Sequence, residues 1–162
     1  MELKIITIET PIGRMGLFAR SGKLERVVFP NDCPDIDQDD VKRSGLRSDP
    51  AFRDAVDHIE RYFRGEHVSW AGRPVPVGGA FYSRVWAAAA TIPFGNTVSY
   101  GELAGMAGNG RAARAAGMAM KHNPLPILIP CHRVIGSDGG LHGFGGGLDL
   151  KRWLLRHEGV EI

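Results

Sequence analysis

The residues best suited to covalent chemistry stand side by side, at Cys131 and His132. A cysteine thiolate is a nucleophile, and a neighbouring histidine can accept the thiol proton. Adjacent residues of a regular strand point to opposite faces, so the pair can cooperate only on a turn or through a water molecule. Pro130 ends the apolar segment 127–129, which we interpret as a short strand, and it favours such a turn. The alternative is that Cys131 is simply a small buried hydrophobic residue.

A glutamate near the end of the chain is the third candidate. Residues 151–158 are predicted to be helical and Gly159 to stop the helix, which puts Glu158 at the negative end of the helix dipole. A carboxylate there is destabilised by about 0.3–1 kcal/mol, so its position indicates a partner elsewhere in the fold. A carboxylate that orients His132 would complete a Cys–His–Glu relay. An exposed glutamate without a role is the alternative.

The elements that must position these residues begin with a small α+β unit. Three apolar, partly alternating segments separated by turns predict an antiparallel sheet, with strands at residues 3–10, 15–19 and 24–29. The acidic stretch 32–40 has no periodicity and is interpreted as a surface loop. Asp49 followed by Pro50 then predicts the start of a helix, which Gly65 ends.

The second half of the chain is predicted to be mostly helical. Helices are expected at residues 80–90, from about Ser99 to Ala107, and at 111–121. Ser99 and Glu102 have the spacing of a capping box, and glycines at 108 and 110 turn the chain between the last two helices. Two short helices joined by a tight turn form a helix-turn-helix pattern, which by itself is only a weak sign of DNA binding. The predicted fold class is therefore α+β, with a small antiparallel sheet and helix followed by a helical domain that contains the helix-turn-helix.

The two halves also differ in charge. The Gly- and Pro-rich segment 72–79 predicts a linker, so we divide the chain into domains at residues 1–78 and 79–162. Residues 1–80 carry 12 basic and 13 acidic side chains, whereas residues 81–162 carry eight and five. The excess of positive charge in the second half permits nucleic-acid binding without requiring it.

Composition excludes several classes of protein. The 162 residues are 43% hydrophobic and 23% charged, which supports a packed core and excludes wholesale disorder. No apolar run approaches the roughly 20 residues that span a bilayer, and the N terminus lacks a signal-peptide core. We therefore expect a cytoplasmic protein without a membrane partner. We also predict a monomer in solution. Cys33, His58 and His67 lack the spacing of metal ligands, so neither a metal nor another cofactor is predicted.

The helix predicted at residues 111–121 has an unusual composition. Alanine and glycine leave it almost without bulk, while Arg111, Arg114 and Lys121 supply positive charge. A slim helix can bring its backbone close to another surface. That surface is either a neighbouring helix or a DNA groove, with Arg114 as the side chain that probes the duplex.

The segment Ile129-Pro130-Cys131-His132-Arg133-Val134 resembles the active-site motif of the O6-alkylguanine-DNA alkyltransferases, also called methylated-DNA–protein-cysteine methyltransferases. The resemblance covers essentially all of residues 80–162 and extends more loosely to the first half. Its further elements follow in the family's order: Ile92-Pro93-Phe94-Gly95, Val98-Ser99-Tyr100-Gly101-Glu102-Leu103-Ala104, Ala113-Arg114-Ala115-Ala116-Gly117, Asn123-Pro124, and Gly146-Gly147 with residues 151–159.

The resemblance implies stoichiometric, irreversible repair of O6-alkylguanine. Cys131 would accept the alkyl group, activated through water by His132 with Glu158 behind it. Asn123 matches an asparagine that braces the cysteine region. The product thioether has no easy route to hydrolysis, so each molecule would act once.

The resemblance also implies duplex DNA as the partner, with O4-alkylthymine as a further candidate lesion. In this family the helix-turn-helix binds the minor groove and the damaged base is flipped into a pocket beside the cysteine. Arg114 is similar to the arginine that fills the vacated stack, and Tyr100 to the tyrosine that helps to rotate the 3′ phosphate. Arg111, Ala113 and Gly117 complete the expected set of DNA-contacting residues.

One position departs from the family, and two other functions stay open. Phe144 stands where many members have a tyrosine whose hydroxyl assists the leaving guanine, so that hydrogen bond would come from water or backbone. A cysteine hydrolase could use Cys131, His132 and Glu158 with turnover, and a lesion-binding protein could use the same pocket without chemistry. The slim helix favours DNA over a peptide substrate, and the cysteine favours chemistry over binding alone.

Overall fold

The apolar segments near the N terminus form the predicted antiparallel sheet in the computed structural model, which describes residues 2–162. Its strands are β1 (Leu3–Thr10), β2 (Gly13–Arg20) and β3 (Lys23–Val28), in that spatial order. Gly13, the first residue of β2, closes the tight turn after β1 with φ 116°, an angle that other residues rarely adopt. One face of the sheet is buried, and the helix that follows packs against it.

The acidic stretch at residues 32–40 is only partly a loop, which corrects the prediction. A short helix, α1 (Gln38–Ser44), begins inside it. The Asp37 side chain caps this helix by accepting a hydrogen bond from the Asp39 backbone at 2.7 Å. The acidic residues of the first turn are favoured there by the helix dipole. The apolar pattern missed the helix because only Val41 is buried.

The predicted helix over the sheet is α2 (Pro50–Phe63). The Asp49 carboxylate accepts a hydrogen bond from Ala51 N at 2.8 Å, and Pro50 occupies the first turn, where no backbone donor is needed. The helix ends before Gly65, which has φ 84°. The helix contacts the sheet, and its buried residues are Phe52, Ala55, Val56, His58, Ile59 and Tyr62.

The second half contains the predicted helices and two very short strands. The helices are α3 (Ala80–Ala90), α4 (Tyr100–Met106), α5 (Ala113–Lys121) and α6 (Leu148–His157). Strands β4 (Val98–Ser99) and β5 (Val134–Ile135) pair in parallel. Both hydrogen bonds of the Ser99–Glu102 capping box are present, and a turn through Gly108 leads from α4 to α5, which pack against each other.

The apolar segment 127–129 is a turn and not the predicted strand. Pro126 and Ile129 form an isolated bridge, and Ile127 between them has φ 73°, an unusual angle for a β-branched residue. Prolines at 124, 126 and 130 remove the backbone donors that a strand ladder needs. The apolar composition therefore reflects complete burial of this turn and not strand pairing.

The buried residues of both halves form one hydrophobic cluster. The backbone of the two halves also meets, since Val27 N donates to Pro124 O at 2.9 Å. The predicted linker 72–79 lies in a stretch without helix or strand that runs from residue 64 to 79. Within residues 2–162, none of the helices has both the length and the apolarity needed to cross a bilayer.

Candidate active site

Cys131 and His132 lie on a single turn of 3-10 helix, Cys131–Arg133, which is one of the two arrangements that would let them cooperate. The turn is closed by a hydrogen bond from Arg133 N to Pro130 O at 2.9 Å. Cys131 is 8% exposed and lines a cavity, whereas His132 is fully buried behind it. The predicted turn is confirmed, so the two side chains are not forced onto opposite faces of a strand.

Asn123 holds the segment that leads to the cysteine. Its Nδ2 donates to Ile129 O at 2.8 Å, and its Oδ1 accepts from Leu125 N at 3.0 Å, so one amide ties both ends of the buried turn. Burial raises the pKa of the Cys131 thiol, while a hydrogen bond with Asn123 and the charge of Lys151 act in the opposite direction. At neutral pH the resting group is therefore a thiol that needs a base.

The candidate base is His132, and its hydrogen bond defines its tautomer. Nε2 is bonded to Glu158 Oε2, a carboxylate oxygen that can only accept, so Nε2 carries the proton. Nδ1 then has the free lone pair, and it is the one buried side-chain nitrogen or oxygen in residues 2–162 without a hydrogen-bond partner. Burial lowers the pKa of His132, against the pull of Glu158, which keeps the ring neutral and able to accept a proton.

Glu158 has the partner that its position in the helix dipole indicated, and three more. Oε1 accepts from Gly95 N and Arg133 Nε, both at 2.8 Å, and Oε2 accepts from Tyr62 Oη at 2.8 Å and from His132. Burial by itself would raise the pKa of this carboxyl, but its bonds and charge interactions with His132 and Arg133 hold it at about 2. The group is a buried anion with both oxygens fully engaged.

Three residues of this cluster were missed by sequence reasoning: Tyr62, Arg133 and Lys151. The Lys151 ammonium is fully buried and donates to Val134 O and Leu141 O, each at 2.7 Å, and burial lowers its pKa to about 8. The sequence signal for Lys151 was a charged residue on the apolar face of α6, where it is buried with Leu154 and Leu155. Tyr62 offered none, because a tyrosine on the apolar face of α2 looks like any other core residue.

The cavity beside Cys131 has a volume of about 490 Å³. Both halves of the chain contribute to its wall, which is formed by Arg26, Val27, Val28, Phe29, Asp32, Tyr100, Gly117, Met120, Lys121, Asn123, Pro126, Cys131, Gly143, Phe144 and Gly145. Small-molecule sites commonly have this size and a mostly apolar wall. The cavity can therefore accept a planar ligand the size of a nucleobase next to the thiol.

Two aromatic residues define the character of that wall. Tyr100 lies next to Gly117, where an added Cβ would be only 3.6 Å from the phenol ring. Burial, together with the nearby Cys131, raises the pKa of Tyr100, so its hydroxyl stays protonated and can donate. The ring centroid of Phe144 lies 5.5 Å from that of Phe29. These two rings make this side of the cavity apolar, whereas a tyrosine at position 144 would bring a hydroxyl.

The expected DNA-contacting residues on α5 and in the turn before it divide between the cavity and the surface. Gly117 lines the cavity and Ala113 is half-buried, while Arg111 and Arg114 are exposed and lie outside the cavity wall. Neither arginine side chain has an ion pair or hydrogen bond within the described chain, residues 2–162.

Among residues 2–162, no group of three or more histidine, cysteine or acidic side chains is arranged to hold a metal ion, and both cysteines are free thiols.

Comparison with known sequences identifies close similarity to one family. A family model described as the DNA-binding domain of 6-O-methylguanine DNA methyltransferase matches residues 80–160. A methylated-DNA–protein-cysteine methyltransferase of Methanosarcina acetivorans is 41% identical over 151 residues, covering 93% of this chain and 95% of that protein. One from Mycolicibacterium paratuberculosis is 43% identical over 154 residues, covering 94% and 90%.

Solved structures show the same similarity. The crystal structure of Mycobacterium tuberculosis O6-methylguanine methyltransferase superposes with a TM-score of 0.76 at 38% identity, over 97% of this chain and 93% of the other. A structure of the M. tuberculosis protein OGT in complex with DNA gives the same TM-score at 39% identity, over 95% and 91%. The α+β arrangement is therefore shared along nearly the whole chain.

Proposed function

The chain belongs to the methylated-DNA–protein-cysteine methyltransferase family, and we propose that it repairs O6-alkylguanine in duplex DNA by moving the alkyl group onto its own Cys131. DNA repair by alkyl transfer to a protein cysteine follows from its family. One observation carries the finer assignment: a cysteine in the wall of a base-sized cavity stands beside a fully buried histidine–glutamate pair whose free lone pair has no partner. That arrangement suits proton removal from Cys131.

The transfer begins with removal of the thiol proton. A bridging water passes the proton of Cys131 to Nδ1 of His132, and the imidazolium is stabilised by the Glu158 carboxylate. Sγ attacks the alkyl carbon, the new C–S bond forms as the C–O6 bond breaks, and the bonding pair stays with the guanine oxygen. The guanine then takes up the proton that His132 received. The protein is left with a thioether and acts once.

Departure of the guanine is helped by a hydrogen-bond donor, which Phe144 cannot supply. The ring of Phe144 packs near that of Phe29, so this part of the wall is apolar. We assign the donor to a backbone N–H of the glycine-rich loop that contains Gly143 and Gly145, or to a water molecule held there. The protonated Tyr100 hydroxyl assists in rotating the 3′ phosphate of the flipped nucleotide.

DNA binding is assigned to the α4–α5 pair, placed in the minor groove. The exposed guanidinium groups of Arg111 and Arg114 have no acidic partner in residues 2–162, so their charge is free to meet phosphate. The side chain of Arg114 fills the stack that the flipped base leaves. The M. tuberculosis relative has been solved in complex with DNA, which supports the assignment of DNA as the partner.

Mass spectrometry of the reacted protein tests the proposal. The chain is incubated with duplex carrying O6-methylguanine, and the intact protein and its peptides are weighed. One methyl group is expected per molecule, on the peptide with Cys131 and not on the one with Cys33. Cys131→Ser should abolish transfer and retain DNA binding, with Cys33→Ser as the matched control that transfers normally.

Two outcomes would contradict the proposal. A Cys131→Ser protein that still repairs the duplex would exclude Cys131 as the acceptor. Repeated release of product from an activated ester, without methylation of Cys131, would indicate a cysteine hydrolase instead.

A further inference from the structure

A residue of the first half reaches into the reactive centre. Tyr62, on α2, is fully buried and donates its hydroxyl proton to Glu158 Oε2 at 2.8 Å. The same hydroxyl oxygen lies 3.3 Å from His132 Nε2. These partners are 96 and 70 positions further along the chain. The hydroxyl therefore touches both members of the proton-accepting pair.

Aromatic neighbours hold the Tyr62 ring in place. Its ring centroid lies 5.1 Å from that of Phe63, 5.8 Å from Phe94 and 5.2 Å from His157. His157 Nε2 is also hydrogen-bonded to the Tyr62 carbonyl at 2.9 Å. A phenylalanine would fill the same space, and burying a hydroxyl is unfavourable unless it is hydrogen-bonded. The contribution specific to tyrosine is therefore the bond to Glu158.

That bond acts on the oxygen that His132 uses. Glu158 Oε2 accepts from both Tyr62 and His132, so the hydroxyl draws negative charge away from the His132 side. A donor to a carboxylate favours its ionised form. Without the hydroxyl, Glu158 Oε2 would carry more negative charge toward His132. The proton affinity of His132 and Glu158 together would therefore rise.

The other charged groups around the pair do not replace this hydroxyl. Arg133 bonds the opposite oxygen, Oε1, and the Lys151 ammonium from α6 is held by two carbonyl groups. His157 of α6 and His58 of α2 flank Tyr62 and Arg133 without bonding the carboxylate. Cys131, on the remaining side, is the proton donor in the reaction. Among residues 2–162, Tyr62 and His132 are the donors to Oε2.

We propose that Tyr62 is a positioning residue, through which the first half of the chain keeps the His132–Glu158 pair free of a proton and ready to accept one from Cys131. The inference rests on the proposed function, because it concerns activation of the same thiol. It assigns the first half a part in the chemistry that neither the cysteine motif nor the helices of the second half contain.

The pH dependence of single-turnover methyl transfer tests the role of the hydroxyl. In the full chain, Tyr62→Phe should move the acid limb of the rate upward by about one pH unit, which is roughly a tenfold loss below the limb and little change well above it. Phe52→Leu is the matched control, because Phe52 is fully buried on the same helix and faces the sheet. It should lower stability and leave the limb where it is.

A second variant separates the hydroxyl from packing. Site-specific 3-fluorotyrosine at position 62 keeps the ring and makes the hydroxyl a stronger donor, so the acid limb should move downward. This variant also serves if Tyr62→Phe fails to fold. An unchanged limb in either folded variant, or a shift in the opposite direction, would overturn the inference.

Nitrogen NMR of His132 distinguishes this inference from the proposed function. In protein with labelled histidine, Tyr62→Phe should raise the pH at which His132 becomes protonated, whether or not DNA is present. If His132 shifts as expected while the parent protein never methylates Cys131, the proposed function fails and the role of Tyr62 on the pair stands. If the parent methylates Cys131 and His132 does not shift, the role of Tyr62 is wrong.

Discussion

The two halves of the molecule differ in how far their surface charges are paired. In the first half, most basic side chains at the surface are paired with acidic ones, as in Lys4–Asp49 and Arg47–Glu60. In the second half, Arg111, in the turn before α5, and Arg114, on α5, have no such partner within residues 2–162. A surface that neutralises itself has little attraction for a polyanion, whereas free guanidinium groups attract phosphate. The difference favours the second half as the surface that contacts DNA.

The interiors differ in the same sense. The first half buries a mostly apolar core between its sheet and α2, whereas the second half buries a charged cluster of His132, Arg133, Lys151 and Glu158. Exposed ion pairs contribute little to stability, but removing one partner of a buried pair costs about 3–5 kcal/mol. A change of charge should therefore matter far more inside the second half than on the surface of the first. Tyr62 is the point where the first half joins that cluster.

The largest effect is expected from Glu158→Gln, which breaks the buried cluster. The change removes the charge opposite Arg133 and His132, so it should lower the free energy of unfolding by roughly 3–5 kcal/mol. Methyl transfer should slow at least about tenfold, because the imidazolium loses its counterion, and should recover partly as pH rises through the thiol titration. Thermal unfolding and single-turnover kinetics against pH measure both effects.

The matched control is Glu60→Gln, which breaks the exposed pair with Arg47. It should change neither stability nor transfer appreciably. Superimposable pH profiles for the parent and Glu158→Gln would mean that Glu158 is purely structural, and the relay would reduce to Cys131 and His132.

A smaller and more selective effect is expected from Arg114→Ala, which removes one of the free cations. Repair of duplex should fall by about tenfold, while reaction with free O6-methylguanine base should be almost unaffected, since Arg114 lies outside the cavity wall. Binding of the variant to duplex should also depend less steeply on salt. Arg47→Ala, in the paired surface of the first half, is the control. Equal losses of transfer rate on duplex and on free base would contradict this prediction and show that Arg114 serves folding or the cavity instead of DNA contact.

The smallest effect on activity is expected at His58, the buried histidine of the first half. Burial lowers its pKa to about 4, so between the unfolded value near 6.5 and pH 4 the unfolded chain binds a proton that the folded one does not. Stability should therefore fall by up to roughly 3 kcal/mol as pH drops through this range. Glu158, with its pKa lowered to about 2, affects stability in a more acidic range. Its stabilising contribution is present above pH 4.5 and is lost as the pH falls toward 2.

His58→Gln should remove most of the loss between pH 6.5 and 4 and leave methyl transfer at neutral pH nearly unchanged. Urea unfolding at a series of pH values measures it. His142→Gln, on the exposed loop, controls for deleting a histidine and should keep the parent's acid sensitivity. A His58→Gln protein that loses stability with acid as steeply as the parent would show that another group is responsible.

Much of this molecule could be predicted from the sequence, because the signals are local. The strands β1 to β3, α2 and the helix pair α4–α5 follow from apolar periodicity, glycine turns and caps such as Asp49 and Ser99. Each of these signals acts within about one helical turn or one strand pair. The unfavourable dipole position of Glu158 predicted a partner, and the His132 contact confirms that a partner exists.

The local signals failed where burial without periodicity decided the structure. The apolar segment 127–129 looks like a strand, but its prolines and its buried position make it a turn. The helix α1 has only Val41 to bury, too little for a period to be visible. In both places the tertiary packing outweighed the local preference.

The sequence by itself determined most of the elements, the Cys131–His132 pair and the family to which they belong. Only the tertiary structure decided how Glu158 is held, since its donors come from positions 62, 95, 132 and 133. The physical reason is that a buried carboxylate must have its charge and lone pairs satisfied, and any element packed nearby can supply the donors whatever its distance along the chain. Tyr62 is the clearest case. Its place on the apolar face of α2 gives no sign of a catalytic contact, yet its hydroxyl donates to Glu158, 96 positions further along the chain.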